Sequence, residues 1–153
     1  MCHTDLHVLR SEVAFPVPAV LGHEVSGTVA ELGDDVEGLE VGDPVVCSFI
    51  MPCGVCRHCV RGAEDLCEKF FAYNRLGGTL YDGETRLSRA DGTPLAMYSM
   101  GGLAEYCVVP ATDVFRVPRG SGSARCRSSG AARSPPTVRS RTSRRSSSAI
   151  GSR

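Results

Sequence analysis

Four cysteines fall within fifteen residues, at a spacing that suits a single metal ion. Two residues separate Cys53 from Cys56 and Cys56 from Cys59, and Cys67 follows after seven more. A two-residue spacing lets a tight turn present two thiolates to one ion, and structural Zn²⁺ takes four such ligands in a tetrahedron. Gly54 permits the bend between the first two cysteines. The spacing predicts a structural zinc site with no position left open for a substrate.

Other interpretations of this cysteine cluster remain open. Four cysteines also hold iron–sulfur clusters, and four buried free thiols are the alternative without metal. The chain starts without the basic and apolar segments of a secretory signal, so we expect a cytoplasmic protein, where clustered cysteines indicate metal before disulfides. His58 lies inside the cluster. We expect it to be exposed and unligated because four thiolates already complete the shell.

A second set of reactive side chains is divided between two short segments near the start of the chain. Residues 2–7 read Cys-His-Thr-Asp-Leu-His, and residues 21–24 read Leu-Gly-His-Glu. A thiolate and an imidazole are ligands that zinc prefers. Each segment is a weak signal by itself, because a lone histidine on a loop is usually a surface residue. About twenty residues apart and followed by the cysteine cluster, the two segments form a far more specific pattern.

Charge divides the chain into two compositions. All 17 acidic residues precede Arg119, whereas nine of the 17 basic residues, all arginine, lie in 119–153. Such an Arg/Ser-rich segment cannot bury enough apolar surface to offset its ordering entropy, so we expect a disordered tail. Its composition is typical of out-of-frame translation of GC-rich DNA. Nonspecific binding of RNA or DNA through phosphates is the functional alternative.

Residues 1–118 show the pattern of a mainly β domain. Apolar and β-branched runs between turn residues predict strands at 25–32, 44–50, 103–109 and 113–117, and the segment 77–92 carries several turn signals. Short strands with irregular connections favour a barrel or sandwich over a βαβ sheet. No run approaches the roughly 18 apolar residues of a membrane span. We therefore expect no membrane partner.

Taken together, these motifs resemble the catalytic domain of zinc-dependent medium-chain alcohol dehydrogenases. The resemblance covers residues 1–118 and rests on the two N-terminal segments, the Gly-Asp at 42–43, the four-cysteine cluster and the strand that begins at Gly101. It implies a GroES-like β-barrel with a cysteine-rich zinc lobe. The family reaction is hydride transfer from an alcohol to NAD, which yields an aldehyde or ketone.

The resemblance also assigns roles to single residues. Cys2 and His23 would be ligands of a catalytic zinc, with Glu24 as an adjacent or alternate carboxylate ligand. Asp5 would hydrogen-bond the far nitrogen of His23 and fix its tautomer. Thr4 would supply the hydroxyl that takes the alcohol proton. His7 would pass that proton towards solvent, and His3 would contact the cofactor pyrophosphate.

The sequence also departs from the family pattern. The family's third catalytic-zinc ligand is a cysteine in an apolar segment, and Cys126 has Arg and Ser neighbours instead. Gly120 and Gly122 do not make a dinucleotide fingerprint, because no strand precedes them. We therefore expect an incomplete catalytic domain at 1–118, a disordered and frameshifted tail at 119–153, and a zinc-binding fragment that is inactive by itself.

A small-molecule alcohol or aldehyde is the partner expected for the intact family, whose members are oligomers. A non-catalytic zinc module that binds a partner or nucleic acid through its basic tail is the alternative function.

Overall fold

Eight strands in two sheets make up most of the regular structure that the computed structural model describes, in residues 2–118 and 137–140. In chain order the strands are β1 (Ala19–Val20), β2 (Ser26–Leu32), β3 (Pro44–Cys47), β4 (Leu87–Ser88), β5 (Pro94–Met97), β6 (Tyr106–Val109), β7 (Val114–Arg116) and β8 (Thr137–Ser140). One α-helix, α1 (His3–Leu9), lies in these residues. The expected mainly β fold is confirmed.

The larger sheet has the strand order β6-β8-β2-β3-β7. β3 pairs antiparallel with β2, with Gly27 opposite Val45, and antiparallel with β7 on its other side. Val29 of β2 is buried, whereas Glu31 on the same strand is exposed. The expected strand at 25–32 is thereby confirmed. The smaller sheet has the order β1-β5-β4.

Two of the expected strands are shorter than the apolar runs that predicted them. The run 44–50 leaves the sheet after Cys47, because the backbone N–H of Ser48 turns to the side chain of Asp113. The run 103–109 joins the sheet only at Tyr106, because the N–H of Leu103 donates to the carbonyl of Leu21 instead. In both cases a hydrogen bond to a distant segment ends the pairing of the strand.

Regular structure also occurs where the sequence indicated only turns. The segment 77–92 and its flanks contain β4 and β5, and a π-helical turn covers Phe70–Arg75. Residues 137–140 form β8, which pairs in parallel with both β2 and β6. Strand pairing uses backbone groups and needs no apolar pattern. Cys126 and the rest of 119–153 lie outside the described residues.

Two groups of buried side chains pack beneath these elements. The larger group lies under the five-stranded sheet and reaches the cysteine lobe through Met51 and Phe70. The smaller group joins α1 to β1 and β5 through Val8, Leu21 and Tyr98. Phe49 packs against both groups. Within the described residues, no helix combines the length and the apolar character needed to cross a membrane.

Candidate metal centres

The four cysteines of the cysteine-rich lobe, residues 53–67, converge on one point. Their sulfurs all lie within 4.8 Å of one another, with the Sγ of Cys59 at 3.5 Å from that of Cys56 and 3.9 Å from that of Cys53. Tetrahedral ligation at 2.3 Å per bond places sulfurs about 3.8 Å apart. Among the described residues this is the one group of three or more potential ligands that converges so closely. The donor set fits a single zinc ion.

Backbone N–H groups point at the sulfurs of the lobe. The N–H of Cys56 donates to the Sγ of Cys53 at 3.3 Å, and the N–H groups of Cys53 and Phe70 donate to the Sγ of Cys67 at 3.2 and 3.5 Å. Such donors stabilise sulfur in its charged form, which is the form that binds metal. The fold therefore positions the lobe for thiolates.

Burial makes these thiolates costly in the absence of a cation. Desolvation, followed by a hydrogen bond with Cys56, raises the pKa of Cys59 to about 12, and desolvation raises the pKa of Cys67 as well. Backbone N–H groups, that of Cys59 first, lower the pKa of the more accessible Cys56 to about 6. A divalent cation held between the sulfurs supplies the charge that the buried pair lacks.

Local turns and two side chains from distant segments hold the lobe in place. Gly54 has φ +74° between the first two cysteines, a left-handed conformation that a side chain would strain. The hydroxyl of Tyr81 donates to the carbonyl of Met51, and the hydroxyl of Thr112 donates to the carbonyl of Pro52 at 2.5 Å. These carbonyls belong to the two residues that precede Cys53. Sequence analysis did not single out Tyr81 or Thr112, because neither lies near the four clustered cysteines in the chain.

His58 takes no part in the sulfur cluster. Its Nε2 lies 3.5 Å from Glu68, which also pairs with Arg57 at 2.6 Å. These three side chains lie on the outer face of the lobe.

At the second site, Asp5 connects the two N-terminal segments. Its side chain is fully buried on α1. One carboxylate oxygen accepts the N–H of Cys2 at 2.9 Å, and the other accepts the N–H of Gly22 at 3.2 Å. The second oxygen also lies 3.3 Å from Nδ1 of His23, without forming a hydrogen bond to it. Asp5 thus brings Cys2 and His23 to the same carboxylate.

Aromatic rings surround His23. The imidazole, whose side chain is 6% exposed, lies 4.6 Å from the ring of Phe49 and 5.9 Å from the ring of Tyr98, measured between ring centres. With Nδ1 against Asp5, Nε2 is the nitrogen that a metal ion would use. Sequence analysis missed both aromatic residues, because only the packed fold brings them to the histidine.

Gly22 fixes the approach of His23 to the neighbouring segment. It has φ +104°, and a Cβ at this position would lie 2.5 Å from the backbone nitrogen of Leu103. The N–H of Gly102 donates to the carbonyl of Gly22 at 2.8 Å. Glycine is therefore required here both by conformation and by space.

The other residues of the two segments lie around this pair. The Oγ1 of Thr4 is 3.6 Å from the Sγ of Cys2. The rings of His3 and His7 are 4.8 Å apart on one face of α1, and His7 pairs with Glu12. Glu24 follows His23 in the chain but does not join Cys2 and His23 in a group as tight as that of the four cysteines.

Two buried polar side chains outside the motifs fasten the segments that bear the site. The amide of Asn74 donates to the carbonyls of Thr79, Met97 and Ser99 at 3.1, 3.3 and 2.9 Å. Asp113 accepts the N–H of Ser48 at 3.2 Å, and desolvation raises its pKa to about 8. An asparagine or aspartate in a turn-rich stretch gives no sequence signal for such a role.

Comparison with known proteins identifies the family of this chain. The family model described as the alcohol dehydrogenase GroES-like domain matches residues 1–119. This chain belongs to that family. The GroES-like assignment that the motifs predicted is confirmed.

Similar proteins include an NDMA-dependent alcohol dehydrogenase of Amycolatopsis methanolica, 35% identical over 117 residues, and an alcohol dehydrogenase class-P of Arabidopsis thaliana, 33% identical over 119 residues. Both matches cover 76% of this chain and 31% of the relative. The chain therefore spans about a third of the length of these relatives.

Among solved structures, an alcohol dehydrogenase zinc-binding domain protein from Burkholderia ambifaria matches with a TM-score of 0.68 and 35% identity, over 80% of this chain and 33% of that one. A benzyl alcohol dehydrogenase from Acinetobacter calcoaceticus matches with a TM-score of 0.58 and 30% identity, over 78% and 32% respectively. Both neighbours therefore resemble this chain in sequence as well as in fold.

Proposed function

We propose that this chain forms the zinc-binding part of the catalytic domain of an NAD-dependent alcohol dehydrogenase. The observation that carries the proposal is the buried carboxylate of Asp5, which contacts both the Cys2 backbone and the His23 ring. A carboxylate behind a histidine is the usual support of a metal-bound imidazole. The family match gives this arrangement its chemical context.

The four-cysteine lobe is proposed to hold the structural zinc. Its support is the convergence of the sulfurs within 4.8 Å and the N–H groups directed at them. All four ligands are thiolates, so the site offers no open position and serves stability only.

Cys2 and His23 are proposed as two ligands of the catalytic zinc, with Glu24 as a carboxylate beside them. When bound there, zinc acts as a Lewis acid that lowers the pKa of an alcohol substrate. Nδ1 of His23 faces Asp5, which leaves Nε2 available. Phe49 and Tyr98 pack against this ring and limit the access of water to it.

Proton transfer is proposed for residues of α1. The hydroxyl of Thr4 lies next to Cys2 and would take the alcohol proton, and His7, whose side chain is 42% exposed, would pass it to solvent. His3 lies on the exposed side of the helix, where it would contact the pyrophosphate of NAD. A small-molecule alcohol or aldehyde is the proposed substrate.

Cobalt substitution tests the catalytic zinc site. With zinc in the lobe, one added equivalent of Co²⁺ is expected to bind as the second metal ion and to give a sulfur-to-cobalt charge-transfer band from Cys2. Cys2→Ser should remove the band and His23→Asn should weaken it, whereas Cys107→Ala should leave it unchanged because Cys107 is buried in the core. A band that survives Cys2→Ser would refute the assignment.

The 153-residue polypeptide by itself is proposed to lack dehydrogenase activity. Hydride transfer needs the nicotinamide held about 3–3.5 Å from the substrate carbon, and such positioning is worth roughly 7–11 kcal/mol of barrier. The described residues offer only His3 for that purpose. Alcohol-dependent NADH formation by the zinc-loaded polypeptide, above the level of its Cys2→Ser variant, would contradict this proposal.

A further inference from the structure

The exposed face of α1 carries two histidines one helical turn apart. His3 and His7 are four positions apart, so both side chains project from the same face of the helix. His3 is exposed, and the side chain of His7 is 42% exposed, so an ion from solvent can reach both rings. Two histidines at this spacing are a recurring way for a helix to bind zinc.

The distance between the rings matches two imidazoles on one ion. A nitrogen ligand lies about 2.0–2.1 Å from Zn²⁺, which puts the ring centre roughly 3.2 Å from the ion. An N–Zn–N angle of 90–110° therefore places the two ring centres about 4.5–5.2 Å apart. The ring centres of His3 and His7 lie 4.8 Å apart in an edge-to-face contact, so a rotation of one side chain at this spacing would direct a nitrogen of each ring at one ion.

Glu12 supplies the support that a metal-binding histidine usually has. Its Oε2 pairs with Nδ1 of His7, which leaves Nε2 of that ring free. Metal-bound histidines generally donate their other N–H to a carboxylate, which fixes the tautomer and raises the basicity of the ligating nitrogen. Arg10 lies 3.9 Å from the other oxygen of Glu12 and opposes the binding of a cation.

We propose that His3 and His7, with Glu12 behind His7, form a surface site for a divalent transition metal ion such as Zn²⁺ or Ni²⁺. This site is distinct from both the four-cysteine lobe and the Cys2–His23 pair. A metal ion bound there occupies the two imidazoles that the proposed function assigns to the cofactor and to proton release, so excess metal would block the face of α1.

Calorimetric titration of the whole 153-residue chain, with one zinc ion held in the lobe and one at the Cys2–His23 pair, tests the site with Ni²⁺ as the probe. We expect one further Ni²⁺ per chain. His3→Gln and His7→Gln should each weaken binding at least tenfold, and Glu12→Ala about tenfold. Arg10→Gln should strengthen it, while His58→Gln and Cys2→Ser should leave it unchanged. Unaltered binding in His3→Gln or His7→Gln, or its loss in Cys2→Ser, would overturn the proposal.

A measurement on the unsubstituted chain, loaded with the same two zinc ions, makes the test independent of folding in the variants. Ni²⁺ is paramagnetic, so it should broaden the imidazole proton signals of His3 and His7 in the NMR spectrum before those of His58 or His23. Selective broadening of His58 or His23, or of no histidine, would refute the site.

Discussion

The four-cysteine lobe and the Cys2–His23 pair are assembled over very different distances along the chain. The lobe collects its ligands from the fifteen residues 53–67, and turns within that segment direct most of the sulfurs. The Cys2–His23 pair needs a helix, the buried carboxylate of Asp5 and the segment that contains Leu103. A site whose ligands come from one short segment depends on the spacing of those ligands in the sequence. A site assembled from distant segments depends on the packing of the domain.

This difference predicts how each site responds to substitution. A change in the lobe should act on metal content directly. A change around His23 should act first on the stability of the domain and only then on metal content.

The largest expected effect comes from the lobe. Cys56→Ser removes one of four thiolates, and structural zinc contributes roughly 10–16 kcal/mol of folding free energy in small zinc domains. We expect the purified variant to lose its structural zinc and much of its thermal stability. Metal analysis by mass spectrometry and a thermal melt measure the two effects. Cys107→Ala, at a buried cysteine outside the lobe, should retain the zinc, and loss of zinc there would show that the lobe is not independent.

Gly22→Ala should be the most damaging small change near His23. It combines the strain of a side chain at φ +104° with a collision against the backbone of Leu103, so we expect a loss of about 3 kcal/mol. Gly83→Ala is the matched control, because its φ of +83° is similar but nothing lies within 4 Å of the added carbon. It should cost about 1 kcal/mol. Urea unfolding measures both values, and equal losses would contradict the role of close packing.

Asp113 should make the stability of the domain depend on pH. Its folded pKa of about 8 lies above its ordinary value of 3.8 because of burial, so the folded state holds a proton that the unfolded state releases between these values. Stability should therefore fall as pH rises towards 8, by at most about 1.4 kcal/mol per pH unit.

Asp113→Asn removes this contribution, so its stability relative to the unsubstituted chain should improve between pH 6.5 and 8. Chemical unfolding at several pH values gives the slope, and zinc content should stay constant throughout. Asp91→Asn is the control, because Asp91 is exposed and a hydrogen bond from Thr93 lowers its pKa. A slope that is the same in Asp113→Asn and in the unsubstituted chain would contradict the assignment.

The smallest effect is expected at His58, which lies inside the cysteine run but outside the sulfur cluster. His58→Gln removes only a 3.5 Å approach to Glu68 on the surface of the lobe. Exposed ion pairs contribute about 0–1 kcal/mol, so stability should change little and zinc content should not change. Substoichiometric zinc in this variant would show that His58 contributes to ligation.

The sequence predicted the parts of this molecule that depend on local pattern. The strand at 25–32 and the grouping of the four cysteines follow from residue type and spacing alone, and the family follows from combined motifs. Local pattern could not predict where β3 ends and where β6 begins. Their ends are decided by Asp113 and by the carbonyl of Leu21, which lie 65 residues and more than 80 residues away from their partners.

The candidate site shows the same division. Cys2 and His23 stand out as ligand types, but nothing in the sequence shows that Phe49 and Tyr98 flank the imidazole. Asn74 was missed because its three carbonyl partners lie 5 to 25 residues further along the chain. Such contacts form only when the whole domain packs.

The pairing of residues 21–22 with 102–103 also limits where the domain can change in length. Leu103 and Gly102 donate to Leu21 and Gly22, so an insertion between Tyr98 and Leu103 would shift the backbone beside His23 by a whole residue. The turns at Gly83 and Gly92 face open space instead. Insertions and deletions that arise during evolution should therefore be tolerated at those two turns and eliminated at 98–103. A designer who wishes to graft a loop onto this domain has the same choice.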